Sequence, residues 1–252
     1  MADSRRILLV EDEPTLQRIL GSVLSDGGHT VDTVATAEAA IERFDDTGAP
    51  DIDLVLSDKN LPGMNGIDLL RYVRNRPAES TPSAFVLVTG YPSRESALDV
   101  LALGGDGYMV KPFRSLVHAI KDVESILFRS RGRERASFLL ASHVHDALVE
   151  KGTLSPDLHI AVLIDDDELR SRIEERVRAF GQSPRDVAAL RGSTLPCALV
   201  AGRVEDLARF RESNPDAALL LVDAAPAFTD IVSLIQQGGA RIVDPMHIGA
   251  AR

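Results

Sequence analysis

Cysteine is nearly missing: Cys197 is the only one in 252 residues. An intramolecular disulfide is therefore impossible, and the expected setting is reducing and cytoplasmic. Its own reading is that of a small buried apolar residue. Long apolar runs are missing too. Arg5 and Arg6 precede only four consecutive apolar residues, Ile7 to Val10, too few for a signal peptide or a membrane span, so no membrane association is expected. Basic charge is in deficit, with 28 Lys/Arg against 38 Asp/Glu and a net charge of −10. Phosphate backbones are bound by clustered Lys and Arg, so no nucleic-acid partner is expected. One basic cluster exists, RSRGRER at 129–135, but no aromatic residue accompanies it. It reads as a solvated break between two helices, with Gly132 as the weak point.

The length allows one large or two modest domains. The acidity is uneven: residues 1–128 carry 12 Lys/Arg against 20 Asp/Glu, and residues 129–252 carry 16 against 18. In the first half, apolar runs alternate with helical patterns. Ile7 to Val10 reads as a buried strand ending on Glu11, Asp12 and Glu13. Pro14 suits a first helical position, and Leu16, Ile19, Leu20, Val23 and Leu24 form one apolar helical face that stops at Gly27-Gly28. A second strand spans about His29 to Val34, and a helix about Ala37 to Phe44. Leu54, Val55 and Leu56 make a third strand ending at Asp58, followed by a turn rich in Asn, Pro and Gly. Phe85 to Val88 is a fourth strand ending on Thr89 and Gly90. A helix over Ser93 to Leu103 leads to a fifth strand, Tyr108 to Val110, ending on Lys111-Pro112. Five strands alternating with helices predict a doubly wound parallel sheet with right-handed crossovers.

In such a sheet the carboxyl ends of the strands meet at one crevice. Glu11, Asp12, Asp58, Thr89 and Lys111 all stand at those ends. Three crowded carboxylates repel unless a cation neutralises them, and an all-oxygen set suits Mg²⁺ rather than Zn²⁺. Lys111 adds an ammonium and Thr89 a hydroxyl, a set able to stabilise a phosphoryl group in transfer, with Asp58 as the carboxylate acceptor.

Residues 5 to about 128 resemble the receiver domain of bacterial two-component response regulators, a flavodoxin-like α/β fold. Glu11 and Asp12 match the acidic pair, Asp58 the phosphoacceptor and Thr89 the switch hydroxyl. Tyr108 matches the switch aromatic, and Lys111-Pro112 the Lys-Pro pair with its cis peptide bond. The resemblance implies that Asp12, Asp58 and the Asn60 carbonyl hold Mg²⁺, with Glu11 contacting it through water. It implies that the first half catalyses only its own phosphorylation and dephosphorylation. Its implied partners are a sensor histidine kinase or phosphotransfer protein upstream and a protein target downstream. Lys59, directly after the acceptor, departs from the apolar residue usual there and leaves dephosphorylation rate and partner fit open.

From Ile160 the pattern starts again. AVLIDDDELRSRIEERVRAFG echoes ILLVEDEPTLQRILGSVLSDGG, VEDLARFRESNP echoes IDLLRYVRNRP, and RIVDPM echoes YMVKPF. The expected fold is two doubly wound five-stranded parallel sheets, the second degenerate and shortened. The expected division is a receiver at 1–128, a helical linker at 129–158 and a pseudo-receiver at 159–252. In the second copy Asp165 and Asp166 remain. The acceptor position falls on Ala201 or Gly202, with Asp223 in place of Thr89 and Asp244 in place of Lys111; an alternative register sets Asp223 against Asp58. On the helical pattern that resumes from Ser115 and leads into the linker, Leu116, Ile120, Val123 and Leu127 form a short coiled-coil-like seam that offers a homodimer contact. His143 and His145 read as surface histidines; the alternative function is a phosphorelay step through His145 or a cryptic site in the second half.

Overall fold

The computed structural model describes residues 4–46, 51–76, 84–113, 115–129, 133–149, 154–238 and 240–248. They form two compact units, Met1–Arg131 and Gly132–Arg252.

The first unit runs β1 (Arg6–Val10), α1 (Pro14–Asp26), β2 (Thr30–Val34), α2 (Ala37–Asp45), β3 (Leu54–Asp58), α3 (Gly66–Arg74), β4 (Ala84–Thr89), α4 (Arg94–Leu103), β5 (Gly107–Val110) and α5 (Leu116–Arg129). The strands pair in parallel in the order β2-β1-β3-β4-β5. The continuously apolar runs at β1, β3 and β4 occupy the buried centre, whereas β2, with Thr30 and Thr33 exposed, lies at an edge. Helix starts follow local chemistry. Thr36 caps α2 by accepting from the Ala39 N–H, Asn65 caps α3 through Ile67 and Asp68, and Ser93 caps α4 through Ser96. The strand order reverses at β1, with Val10 paired to both Val34 and Ser57. The crevice of an open α/β sheet opens at that reversal.

Helix α5 corrects the dimer-seam expectation. Val123 and Leu127 are buried in one cluster with Ile7, Leu20, Leu24 and Val86, and Leu116 and Ile120 pack against it. The seam is the stripe by which α5 closes its own core, so it is not free to pair two chains. Periodicity marks an apolar stripe without naming what covers it.

The second unit runs α6 (Arg133–Val149), β6 (His159–Leu163), α7 (Asp167–Ala179), α8 (Val187–Leu190), β7 (Cys197–Ala201), α9 (Val204–Ser213), β8 (Ala218–Val222), α10 (Phe228–Gln237), β9 (Ala240–Val243) and a 3-10 turn at Pro245–His247. Among the described residues its sheet has four parallel strands, not five, in the order β6-β7-β8-β9. Outside β6, where the first unit has β2, stands a single bridge between Ala161 and Arg185, with the Arg185 N–H 2.7 Å from the Ile160 carbonyl. The segment there, Gln182 to Asp186, has no apolar alternation to bury, and Pro184 has no N–H to donate. The helix after it is reduced to the single turn α8.

The expected linker is corrected as well. Ala141, Val144 and Leu148 of α6 are buried in one cluster with Ile160, Val200, Leu220 and Val243. Ser137 Oγ donates to the Asp216 carbonyl at 2.9 Å, and Arg176 Nε donates to the Ala147 carbonyl at 3.0 Å. Helix α6 therefore belongs to the second unit and covers β8 and β9. In the first unit the helix outside the last strands comes after β5; here it comes before β6.

Candidate functional site

Because β1 and β3 pair side by side and both end at the reversal, the residues that follow them are neighbours. Glu11 continues the ladder by donating its N–H to the Val34 carbonyl at 3.0 Å, and its side chain is buried. Asp58 is the last residue of β3, and its Oδ1 accepts from the Asn60 N–H at 3.2 Å. Carboxylate oxygens of Glu11, Asp12 and Asp58 all lie within 4.8 Å of one another, and Asp12 is exposed. Lys111, just past β5, closes the group: its Nζ donates to Glu11 Oε2 at 2.7 Å and to Asp58 Oδ2 at 2.8 Å.

Backbone packing fixes the acceptor strand. The Gly66 N–H donates to the Lys59 carbonyl at 2.9 Å, and a Cβ on Gly66 would fall 2.2 Å from the Asp58 carbonyl oxygen. Only glycine lets α3 begin that close. Thr89, fully buried at the end of β4, accepts from the Tyr91 N–H through Oγ1 at 3.0 Å. Its carbonyl accepts the Lys111 N–H at 2.8 Å. The Lys111-Pro112 peptide is cis. Gly90 faces open space. Tyr108 is buried, with its hydroxyl 2.7 Å from Ser96 Oγ and accepting the Ser93 N–H at 3.3 Å. Lys59 reaches across the crevice mouth to the Tyr91 carbonyl at 3.4 Å.

Electrostatics follow from this crowding. Burial raises the Glu11 carboxyl above its usual range; the Lys111 hydrogen bond and charge oppose that rise, and Asp58 adds to it. Burial alone would lower Lys111, but the hydrogen bonds to Asp58 and Glu11 outweigh it and hold the ammonium above its usual value. One ammonium faces three carboxylates, and the group contains neither sulfur nor imidazole. A hard divalent cation of the Mg²⁺ type fits that donor set.

The second unit brings no such group together among the described residues. The ladders locate its strand ends. The pairs Val10–Ser57 and Leu163–Ala201 end the two inner ladders, which puts Ile164 where Glu11 stands, Asp165 where Asp12 stands and Gly202 where Asp58 stands. Asp166 instead caps α7. The Asp223 N–H donates to the Val243 carbonyl at 3.1 Å, so Asp223 falls at the position of Thr89. Pro245, not Asp244, then falls at the position of Lys111. Matching Lys-Pro to Asp-Pro aligned the prolines, whereas hydrogen bonds count residues. On α6, His143 is exposed and His145 Nδ1 lies 3.1 Å from Asp146 Oδ1.

One contact next to the site carries no sequence signal. Glu38, on α2, accepts the Met64 N–H at 2.9 Å from 26 residues away.

Residues 7–121 match the family model for the response regulator receiver domain. Chemotaxis protein CheY of Pseudomonas aeruginosa is 34% identical over 128 residues, which cover 50% of this chain and 99% of that protein. Two-component response regulator PhoP of the same organism is 38% identical over 109 residues, 43% of this chain. That match covers 46% of PhoP, so the chain spans about half the length of that relative. A solved CheY-like receiver domain protein from Methanospirillum hungatei JF-1 aligns at 26% identity and a TM-score of 0.46, covering 52% of this chain and 98% of that one. Through its first unit the chain belongs to the response regulator receiver family of two-component signalling. No helix among the described residues is long and apolar enough to cross a membrane.

Proposed function

We propose that the first unit takes a phosphoryl group onto Asp58 and signals through protein contacts. The observation that carries this reading is the convergence of Lys111 Nζ on Asp58 Oδ2 and Glu11 Oε2, at 2.8 and 2.7 Å, beside the exposed Asp12. In the transfer a carboxylate oxygen of Asp58 bonds to phosphorus while the donor's phosphorus–nitrogen bond breaks, and the leaving imidazole takes a proton from solvent. Asp12, Asp58 and the Asn60 carbonyl would hold Mg²⁺ directly, with Glu11 reaching it through water. When bound, the cation neutralises charge that builds on the phosphoryl oxygens. Lys111 neutralises the same charge from the other flank, and the Thr89 hydroxyl donates to a phosphoryl oxygen across the space that Gly90 leaves open. A kinase or phosphotransfer protein bearing a phosphohistidine is the donor, and a downstream protein is the target. The second unit acts as a receiver-like module without an acceptor, because Gly202 and Pro245 offer neither a carboxylate nor an ammonium.

Incubating the full chain with Mg²⁺ and a small phosphodonor tests this. One acyl phosphate forms on the wild type and none on Asp58→Asn, which keeps the shape and removes the nucleophile. Labelling of Asp58→Asn at the wild-type rate would overturn the assignment.

A further inference from the structure

The turn between β3 and α3 carries Asn60, and its far side is held by a residue from another helix. Glu38 lies in the first turn of α2, and its Oε1 accepts the Met64 N–H at 2.9 Å. The turn is shaped to reach it. Gly63 has φ +77°, and a Cβ there would fall 2.7 Å from that same Oε1. Any other side chain would displace the carboxylate or strain the backbone. The hydrogen bond is charge-assisted, the stronger kind. The Met64 N–H correspondingly holds the Glu38 carboxyl below its usual range.

The remaining ties of the turn lie elsewhere. The Lys59 carbonyl is held by the Gly66 N–H, Leu61 is buried, and Asn65 caps α3. Between Leu61 and Asn65, Glu38 supplies a side-chain tie to the backbone from outside the turn.

We propose that Glu38 is a positioning residue for the cation at the acceptor site. It fixes the Pro62–Met64 backbone and so the direction in which the Asn60 carbonyl points. The inference rests on the reading of Asn60 as a cation ligand given above. Partners that orient a ligand set affinity without touching the ion, and their loss typically weakens metal binding on the order of 10- to 100-fold. Glu38 acts on binding rather than on transfer, because its carboxylate bonds the Met64 N–H on the far side of the turn and not the acceptor Asp58 or Lys111.

The test uses the full chain as wild type, Glu38→Ala and Glu38→Gln. Three quantities are measured: Mg²⁺ affinity by calorimetry, the Mg²⁺ dependence of labelling by a small phosphodonor, and thermal unfolding without Mg²⁺. Glu38→Ala is expected to raise the half-saturating Mg²⁺ concentration about tenfold, while the rate at saturating Mg²⁺ and the melting temperature stay close to wild type. Glu38→Gln keeps an acceptor oxygen for Met64 and restores most of the affinity, which separates bracing from simple negative charge. Unchanged Mg²⁺ affinity in Glu38→Ala overturns the proposal, and so does a Glu38→Gln affinity as weak as that of Glu38→Ala. Should Glu38→Ala melt early, Glu38→Gln decides alone, read by protection of the Met64 amide from hydrogen exchange: protection retained with affinity retained supports the brace, and protection retained with affinity lost overturns it. If the wild type binds Mg²⁺ but takes no label, the acceptor reading fails while the calorimetry still decides the role of Glu38.

Discussion

The hydroxyl of Tyr108 on β5 lies 2.7 Å from Ser96 Oγ on α4 and accepts the Ser93 N–H at 3.3 Å. Ser96 Oγ donates to the Ser93 carbonyl at 3.0 Å, so it accepts the Tyr108 proton. Tyr108 is thereby held inward with its polar end satisfied. Ser96→Ala removes one hydrogen-bond partner of the buried hydroxyl and is expected to cost about 1 kcal/mol in denaturant unfolding. In Tyr108→Phe the same Ser96→Ala change costs clearly less, because the shared bond is already gone. Additive losses across that double-mutant cycle would show that the two residues do not interact.

Among the described residues, Lys111 is the cation that hydrogen-bonds both Glu11 and Asp58 in the crevice. Its side chain is 17% exposed, Asp58 is 11% exposed and Glu11 is 3% exposed. Lys111→Met leaves two close, half-desolvated carboxylates facing each other, and removing one partner of a buried pair costs roughly 3 kcal/mol. Added Mg²⁺ should restore part of that loss. The ammonium is held above its ordinary 10.5, so its contribution is complete below pH 10.5 and disappears as pH rises through the folded-state value. The gap between wild type and Lys111→Met is therefore expected to narrow only in strong alkali. A constant gap through that window in pH-dependent unfolding would count against the assignment.

A second cluster ties the end of α2 to α3. Arg76 Nη1 lies 2.6 Å from Asp45 Oδ1, and the Tyr72 hydroxyl donates to the same oxygen at 3.0 Å. These hydrogen bonds, with Arg76 first, hold the Asp45 carboxyl below its ordinary 3.8. A depressed carboxylate contributes stability above the unfolded value, and that contribution vanishes as pH falls through the folded one. Asp45→Asn is thus expected to narrow its difference from wild type only below about pH 3.8. An NMR titration placing the Asp45 midpoint at or above 3.8 refutes this.

Helix α6 makes the second unit depend on residues before its first strand. Val144 and Leu148 are fully buried there, beside Ala141 and Ala147. Burying one such large side chain contributes about 1.5–3 kcal/mol, so a fragment starting at residue 159 loses roughly 3–6 kcal/mol from those two alone. A fragment of residues 133–252 is expected to melt cooperatively by circular dichroism, and one of 159–252 is not. Equal melting of the two would show that α6 is dispensable.

Much of this was legible in the residues themselves. Continuous apolar runs gave β1, β3 and β4, because a strand buried on both faces has no room for polar positions. The spacing of Glu11, Asp12, Asp58, Thr89 and Lys111 at strand ends placed one crevice, because parallel strands bring their carboxyl ends to one edge of the sheet. What covers an apolar stripe was not legible. Leu116, Ile120, Val123 and Leu127 look alike whether they face a partner or a core, and Val144 and Leu148 look alike in a linker or a packed helix. Chain order hid the role of α6, since a helix before β6 fills a place that chain order reserves for one after β9. Register was equally hidden: hydrogen bonds, not matching prolines, put Pro245 at the position of Lys111. The bond from Glu38 to Met64 had no local pattern at all, because a carboxylate reaches a distant N–H only after α2 and the β3–α3 turn have packed side by side.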